Sequence, residues 1–286
     1  MHENRELKAL FTLLDDPDES VFHSVCNRIV EYGKPIIPNL EHLWEITPNE
    51  EVQERIEMLI HCLQFSDVLQ DFAEWKSRPY HDLLLGTLLV AKCHYPDLHS
   101  APVYQDIEKM RRTIWLELNN YLTPLEQIHV IGSILFKYFQ FQSQENNYDQ
   151  HDHFFIHKVL PSKKGNSLLI GIVFQLMCEL LDIPARLIPI PGQVILAIPD
   201  AHSEAISAQH QILFFVDGAN GQAYSHKDIE EYLLRISCVP EDRYFTPMSN
   251  LEIVEQLLKE TAECFNQPHQ LYKKDELLQI ARLLAS

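Results

Sequence analysis

Hydrophobic positions recur along most of this chain at helical spacing. Leu7, Leu10, Phe11 and Leu14 fall at i, i+3, i+4 and i+7, one face of an amphipathic helix. Asp15-Asp16-Pro17-Asp18 predicts its end and the cap of a second helix, whose buried face is Val21, Val25 and Ile29 and which stops at Gly33. Ile36, Ile37, Leu40, Leu43 and Trp44 mark a third. Thr47-Pro48-Asn49-Glu50 has the pattern of a capping box with proline at the first helical position. It predicts a fourth helix with a face of Val52, Ile56, Leu59 and Ile60. Asp16-Pro17-Asp18-Glu19-Ser20-Val21 aligns with Thr47-Pro48-Asn49-Glu50-Glu51-Val52. The pairs Val25/Ile56 and Ile29/Ile60 continue the match, as two turns of a HEAT-like solenoid would. Two unrelated capped helices would give the same pattern. Residues 1–78 are therefore a helical region, with its junction between Trp75 and Pro79.

Three further helices follow: Leu83 to Ala91, Tyr104 to Tyr121, and one opened by a second capping box, Thr123-Pro124-Leu125-Glu126. The pattern then changes. From Ser167 to Leu181 the chain is apolar nearly all round a helix, which predicts a centrally buried element. Asp182-Ile183-Pro184 ends it. Arg186 to Ile190, Gln193 to Ile198 and Gln211 to Val216 read as strands, the first two separated by the Pro191-Gly192 turn. Ile229-Glu230-Glu231-Tyr232 reads as the edge of an amphipathic helix. The last segment, 249–286, predicts a pair of helices through Leu251, Val254, Leu257 and Leu258, then Leu277, Ile280, Ala281 and Leu284.

Charge narrows the choice of partner. The formal net charge is -18. No basic stripe offsets it, so the surface repels phosphate backbones and nucleic acid is not an expected partner. The start is charged and lacks the apolar core of a secretory leader. The apolar run from Ser167 is too short to span a bilayer and is interrupted by Gln175 and Glu179. The six cysteines form no C-x-x-C pair or short-spaced framework, as free thiols in a reducing cytoplasm would be.

Several short motifs occur in a distinctive order: Tyr95-Pro96-Asp97-Leu98, Tyr148-Asp149, Val159-Leu160, Gly165-Asn166-Ser167-Leu168, Ile183-Pro184-Ala185-Arg186, Pro191-Gly192-Gln193-Val194 and Phe215-Val216-Asp217. With the helix-then-strands layout they resemble the transglutaminase/papain-like core. The closest likeness is to the bacterial SirB-type branch, which carries a tetratricopeptide-like C-terminus. The resemblance runs from about Leu84 to Leu284. It implies an α+β fold: a transglutaminase-like core of buried helix and antiparallel sheet over 79–248, preceded by the HEAT-like region 1–78 and followed by a tetratricopeptide-like helix pair, 249–286.

It also implies a site. In the family a Cys at the helix N-terminus faces a His and an Asp on adjacent strands. Here Ser167 follows Gly165-Asn166 at the Cys position, Gln193 follows Pro191-Gly192 at the His position, and Asp217 keeps the acidic position. A serine hydroxyl needs a base beside it. A Gln amide only donates and accepts hydrogen bonds. Without an imidazole, the orienting role of Asp217 is empty. The resemblance thus implies a catalytically inactive protein with a degenerate triad and no cofactor, which binds or scaffolds an unidentified protein or peptide. The alternative is a hydrolase or acyltransferase in which Ser167 recruits a displaced base from His202, His210 or His226.

Fifteen histidines raise the question of a metal. His151-Asp152-His153 with His157 is the densest patch, and His153 and His157 have the i, i+4 spacing of a zinc pair. No third ligand is apparent, so no metal site is expected. Cys178 lies mid-helix on the apolar element and reads as an inert core thiol.

Overall fold

The computed structural model describes residues 3–14, 18–144, 148–200, 203 and 207–286. By its contacts the chain divides into two compact units, Met1–Glu74 and Trp75–Ser286.

In the first unit, α1 (Glu3–Leu13), α2 (Glu19–Val30), α3 (Ile37–Ile46) and most of α4 (Glu50–Ser77) enclose a core that includes Leu14, Val25, Ile29, Leu40, Ile56 and Leu63. These are the positions that the helical spacing selects. Asp18 caps α2 by accepting the Ser20 N–H at 2.9 Å; Asp15, Asp16 and Pro17 lie outside the described residues. Gly33, at φ 67°, turns the chain between α2 and α3. The capping box expected at Thr47 is not formed. The Thr47 hydroxyl donates back to Leu43 O at 2.7 Å, closing α3, and Asn49 caps α4 by accepting the Glu51 N–H at 3.0 Å. Asn49, as the last non-helical residue, is the one whose side chain can reach the free N–H groups of the first turn.

The second unit opens with the last turn of α4 and continues through α5 (Leu83–Lys92), α6 (Ala101–Glu117) and α7 (Pro124–Gly132). Thr123 and Glu126 form both halves of the expected capping box. A turn of π-helix, Ser133–Tyr138, follows α7. Next come β1 (Gln142–Gln144), α8 (Ile156–Ser162), β2 (Lys164–Asn166) and the buried helix α9 (Ser167–Glu179). The strands β3 (Arg186–Ile188), β4 (Ile195–Pro199), β5 (Ile212–Asp217) and β6 (Ala223–Tyr224) form one antiparallel sheet in chain order. Helices α10 (His226–Arg235), α11 (Asn250–Ala262) and α12 (Leu271–Ala285) complete the unit.

Helix α9 lies at the centre, as its uniform hydrophobicity dictates: every residue from Leu168 to Cys178 is buried. Its one internal polar side chain, Gln175, is fully buried and fully used. It accepts the Leu187 N–H of β3 at 2.8 Å and donates to Glu179 Oε1 at 3.0 Å and to Asn250 Oδ1 of α11 at 3.1 Å. The sheet approaches α9 closely because Gly171 and Gly218 carry no side chain: a Cβ on Gly171 would run into Val194 Cγ1, and one on Gly218 would meet the Gly171 Cα at 3.0 Å. A second cluster, with Ile195, Phe215, Ile229, Leu233 and Phe245, packs α10 against the sheet. Helix α11 lies against α5, where a Cβ on Gly86 would fall 2.7 Å from Val254 Cγ2. Among the described residues no helix is long and apolar enough to cross a membrane.

A candidate binding cavity at the start of the buried helix

The start of α9 is fixed from two directions. Asn166 precedes it in extended backbone, and its Oδ1 accepts the Leu169 N–H at 2.9 Å, a side-chain N-cap. On the other side, β1 pairs with β2 in parallel, setting Ser143 opposite Gly165. Gly165 must be glycine because a Cβ would lie 2.9 Å from Val159 Cγ1. The result places Ser167 at the first helical position, with its hydroxyl 2.9 Å from that of Ser143.

Gln193 reaches the same place from the sheet. The strand expected from Gln193 begins only at Ile195, because Gly192 turns at φ 72° and the Gln193 N–H donates to Ile190 O at 3.2 Å. Tyr232 of α10 pins this turn by donating its hydroxyl to Pro191 O at 2.8 Å. The Gln193 side chain is exposed and makes no hydrogen bond with another described residue.

Asp217 is brought alongside by sheet register, since Ile195 at the start of β4 faces Asp217 at the end of β5. Its carboxylate is turned to its own loop. Oδ1 accepts the Ala219 N–H and Oδ2 the Asn220 Nδ2, both at 2.8 Å. Burial holds its pKa above the ordinary Asp value, and these hydrogen bonds only partly offset the shift.

Ser167, Gln193 and Asp217 all line one cavity of about 290 Å³, together with Leu168, Ile190, Val194, Gln256 and Glu260. The last two come from α11, and sequence reading did not point to them. Glu260 Oε2 accepts the Asn166 Nδ2 at 2.9 Å, and Oε1 accepts the Gln256 Nε2 at 3.1 Å. Burial raises its pKa, and both amides work against that shift. Gln256 and Glu260 are spaced i, i+4, so one face of α11 carries both, but nothing in a polar helix face marks such a pair as part of a distant site.

No described histidine lines the cavity. His226 is held elsewhere, its Nε2 2.8 Å from Ile212 O and its ring edge-on to Phe215. His210 sits in the exposed turn before β5; His202 lies outside the described residues. His153 and His157, expected to share a helix face, fall in different elements: a short 3₁₀ turn holds His151–Phe154, and α8 begins only at Ile156. Among the described residues no three His, Cys, Asp or Glu side chains are grouped to hold a metal ion. Cys178 is buried, and burial pushes its thiol pKa far up, which fits a core thiol.

The model of the transglutaminase-like superfamily matches residues 101–259, more than half of the chain, and the protein belongs to that superfamily. No curated protein and no solved structure matches it.

Proposed function

We propose that this is a catalytically inactive transglutaminase-like protein of the SirB type, whose cavity binds or braces an unidentified protein or peptide partner. In this reading Ser167, Gln193 and Asp217 stand at the positions of the family's Cys, His and Asp. The observation that carries it is the pairing of Ser167 with Ser143 in a cavity that no described histidine lines. A serine needs a base within hydrogen-bond reach to become a nucleophile. The hydroxyl of Ser143 is no such base, and the two carboxylates of the cavity already accept amide hydrogens. The same reading treats residues 1–78 as HEAT-like, 79–248 as the core and 249–286 as a tetratricopeptide-like pair, in a cytoplasmic protein. The spacing of the six cysteines, with no C-x-x-C pair or short-spaced framework, supports that compartment.

The test is direct. Purified protein treated with a fluorophosphonate probe should remain unlabelled at Ser167 and should hydrolyse simple esters no faster than buffer. Stoichiometric labelling of Ser167 overturns the inactive reading and favours a serine hydrolase with a base from His202 or elsewhere. Affinity capture from the native host identifies the partner.

A further inference from the structure

Away from the cavity, His94 stands where four segments of the second unit meet. It follows α5 directly, and its ring stacks on Phe155 at 5.6 Å and 7°, just ahead of α8. Tyr95 and His151 meet it edge-on at 4.8 and 5.3 Å, and Phe265, at the end of the α11 segment, lies 5.2 Å away. From the first turn of α12, Lys273 brings its Nζ to 3.4 Å from His94 Nδ1 and over the Phe265 ring at 5.7 Å.

An ammonium can face that nitrogen only while the nitrogen keeps its lone pair, so the contact requires a neutral imidazole. The space beside it, bounded also by Cys93, Glu276 and Leu277, has a volume of about 10 Å³. That admits one water at most, so on this side a charged ring would gain little hydration. The charged and titratable groups around the ring do not compensate. Lys273 and the other histidines, His151 and His157, oppose a new positive charge, and Asp152 favours one. Burial lowers the Lys273 pKa from its ordinary value, and Glu276 on the same helix offsets part of that shift and favours the lysine's charge. Asp152 is itself engaged, accepting the Tyr95 hydroxyl at 3.1 Å. The Nδ1 of His157 is buried without a hydrogen-bond partner, and that of His151 lies 3.2 Å from Asp152 Oδ1 without the alignment of a hydrogen bond.

We propose that His94 is an acid-sensitive latch: neutral, it clamps the α11–α12 connection and the first turn of α12 to the end of α5, and protonated it releases them. The charge would sit 3.4 Å from an ammonium on a part-buried ring with aromatic neighbours, and opening the segment separates the two charges and hydrates both more fully. Burial first, and then Lys273, lowers the His94 pKa to about 4 from an ordinary 6.5. The open form therefore binds the proton more tightly than the closed form. Closure is at full strength above the ordinary value, weakens as pH falls through it, and reaches its minimum near the lowered one.

Hydrogen exchange on the full chain, corrected for the intrinsic pH dependence, tests this. Between about pH 7.5 and pH 5.0, amides in residues 263–276 should lose about 30-fold in protection, the ratio that the two pKa values give. Strands β4 and β5 should change by less than about threefold. His94→Phe, which keeps the ring and removes the titration, should abolish the selective loss. Equal protection at both pH values in the wild type, or the same loss in His94→Phe, overturns the proposal. Should His94→Phe not fold, the His94 Cε1–H resonance of the wild type decides. A titration midpoint below about pH 5 is expected, and one at or above the ordinary value of 6.5 overturns the latch.

Discussion

The hydroxyl oxygens of Ser143 and Ser167 lie 2.9 Å apart, so one donates to the other, and neither hydrogen-bonds a basic side chain among the described residues. Removing Ser143 tests whether this partner restrains a reactive serine or merely satisfies it. Ser143→Ala should cost about 1 kcal/mol or less in urea unfolding, the ordinary worth of one part-buried hydrogen bond. It should also leave Ser167 unlabelled by fluorophosphonate. New labelling in the variant would mean that Ser143 holds back a competent nucleophile.

Placing the family's Cys and His at the positions proposed for them should create thiol chemistry. Ser167 stands in the first turn of α9, where unpaired N–H groups and the helix dipole favour a thiolate. A histidine at position 193 would occupy an exposed place on the same cavity. We expect Ser167→Cys with Gln193→His to react with iodoacetamide markedly faster at about pH 6 than a free thiol does, and Ser167→Cys alone to gain far less. The exposed Cys62 makes the wild type the necessary background control. A double variant that titrates near about pH 8.5 would remove Ser167 and Gln193 from a shared triad.

Glu260 predicts a pH dependence of defined sign. Its pKa is raised in the folded protein, chiefly by burial, so the folded state holds this proton to higher pH than the unfolded chain does. Its contribution to stability therefore falls as pH rises from the ordinary Glu value of 4.5 through the raised one. Glu260→Gln cannot titrate. Urea midpoints measured across that window should show the wild type losing stability relative to the variant as pH rises. A constant difference between the two would show that the carboxyl is not perturbed.

The contact of α9 with the sheet is equally specific. Gly171→Ala directs a methyl group onto Val194 Cγ1 and should destabilise the protein by about 1–3 kcal/mol, as overpacking does. Val194→Ala in the same chain should recover most of that loss, giving a large favourable coupling in a double-mutant cycle. Additive losses from the two substitutions would place the strain elsewhere.

The elements of the second unit were legible where their patterns were strong. The uniformly apolar run of α9 and the Thr123 capping box stand where the sequence sets them, and the three strands after α9 form within two residues of their expected bounds. Ser167, Gln193 and Asp217 are singled out by the family resemblance, whose motifs lie at a helix start, beside the Pro191-Gly192 turn and at a strand end. Ser143 could not: β1 has three residues, too few for a period to register. Gln256 and Glu260 belong to an ordinary amphipathic helix, and their part in the cavity depends on the amide of Asn166 reaching Glu260 across 94 residues of chain. Gln175 reads as a blemish in an apolar run, yet it joins three elements, because what decides its role is which N–H the sheet leaves unpaired. At Thr47 the motif itself misled, since Asn49 lies two residues nearer the helix it caps.

Asp217 holds a place in the fold that owes nothing to catalysis. Its side chain gathers the Ala219 N–H and the Asn220 amide, while its backbone exchanges hydrogen bonds with Gln222 and Gly221. The next residue, Gly218, donates to Val194 O at 2.8 Å and lets the strand end pass beside α9. A chain that gave up turnover would still need this carboxylate to shape the loop after β5. An aspartate here is thus accounted for by architecture alone, and its presence carries no information about whether the protein has a substrate.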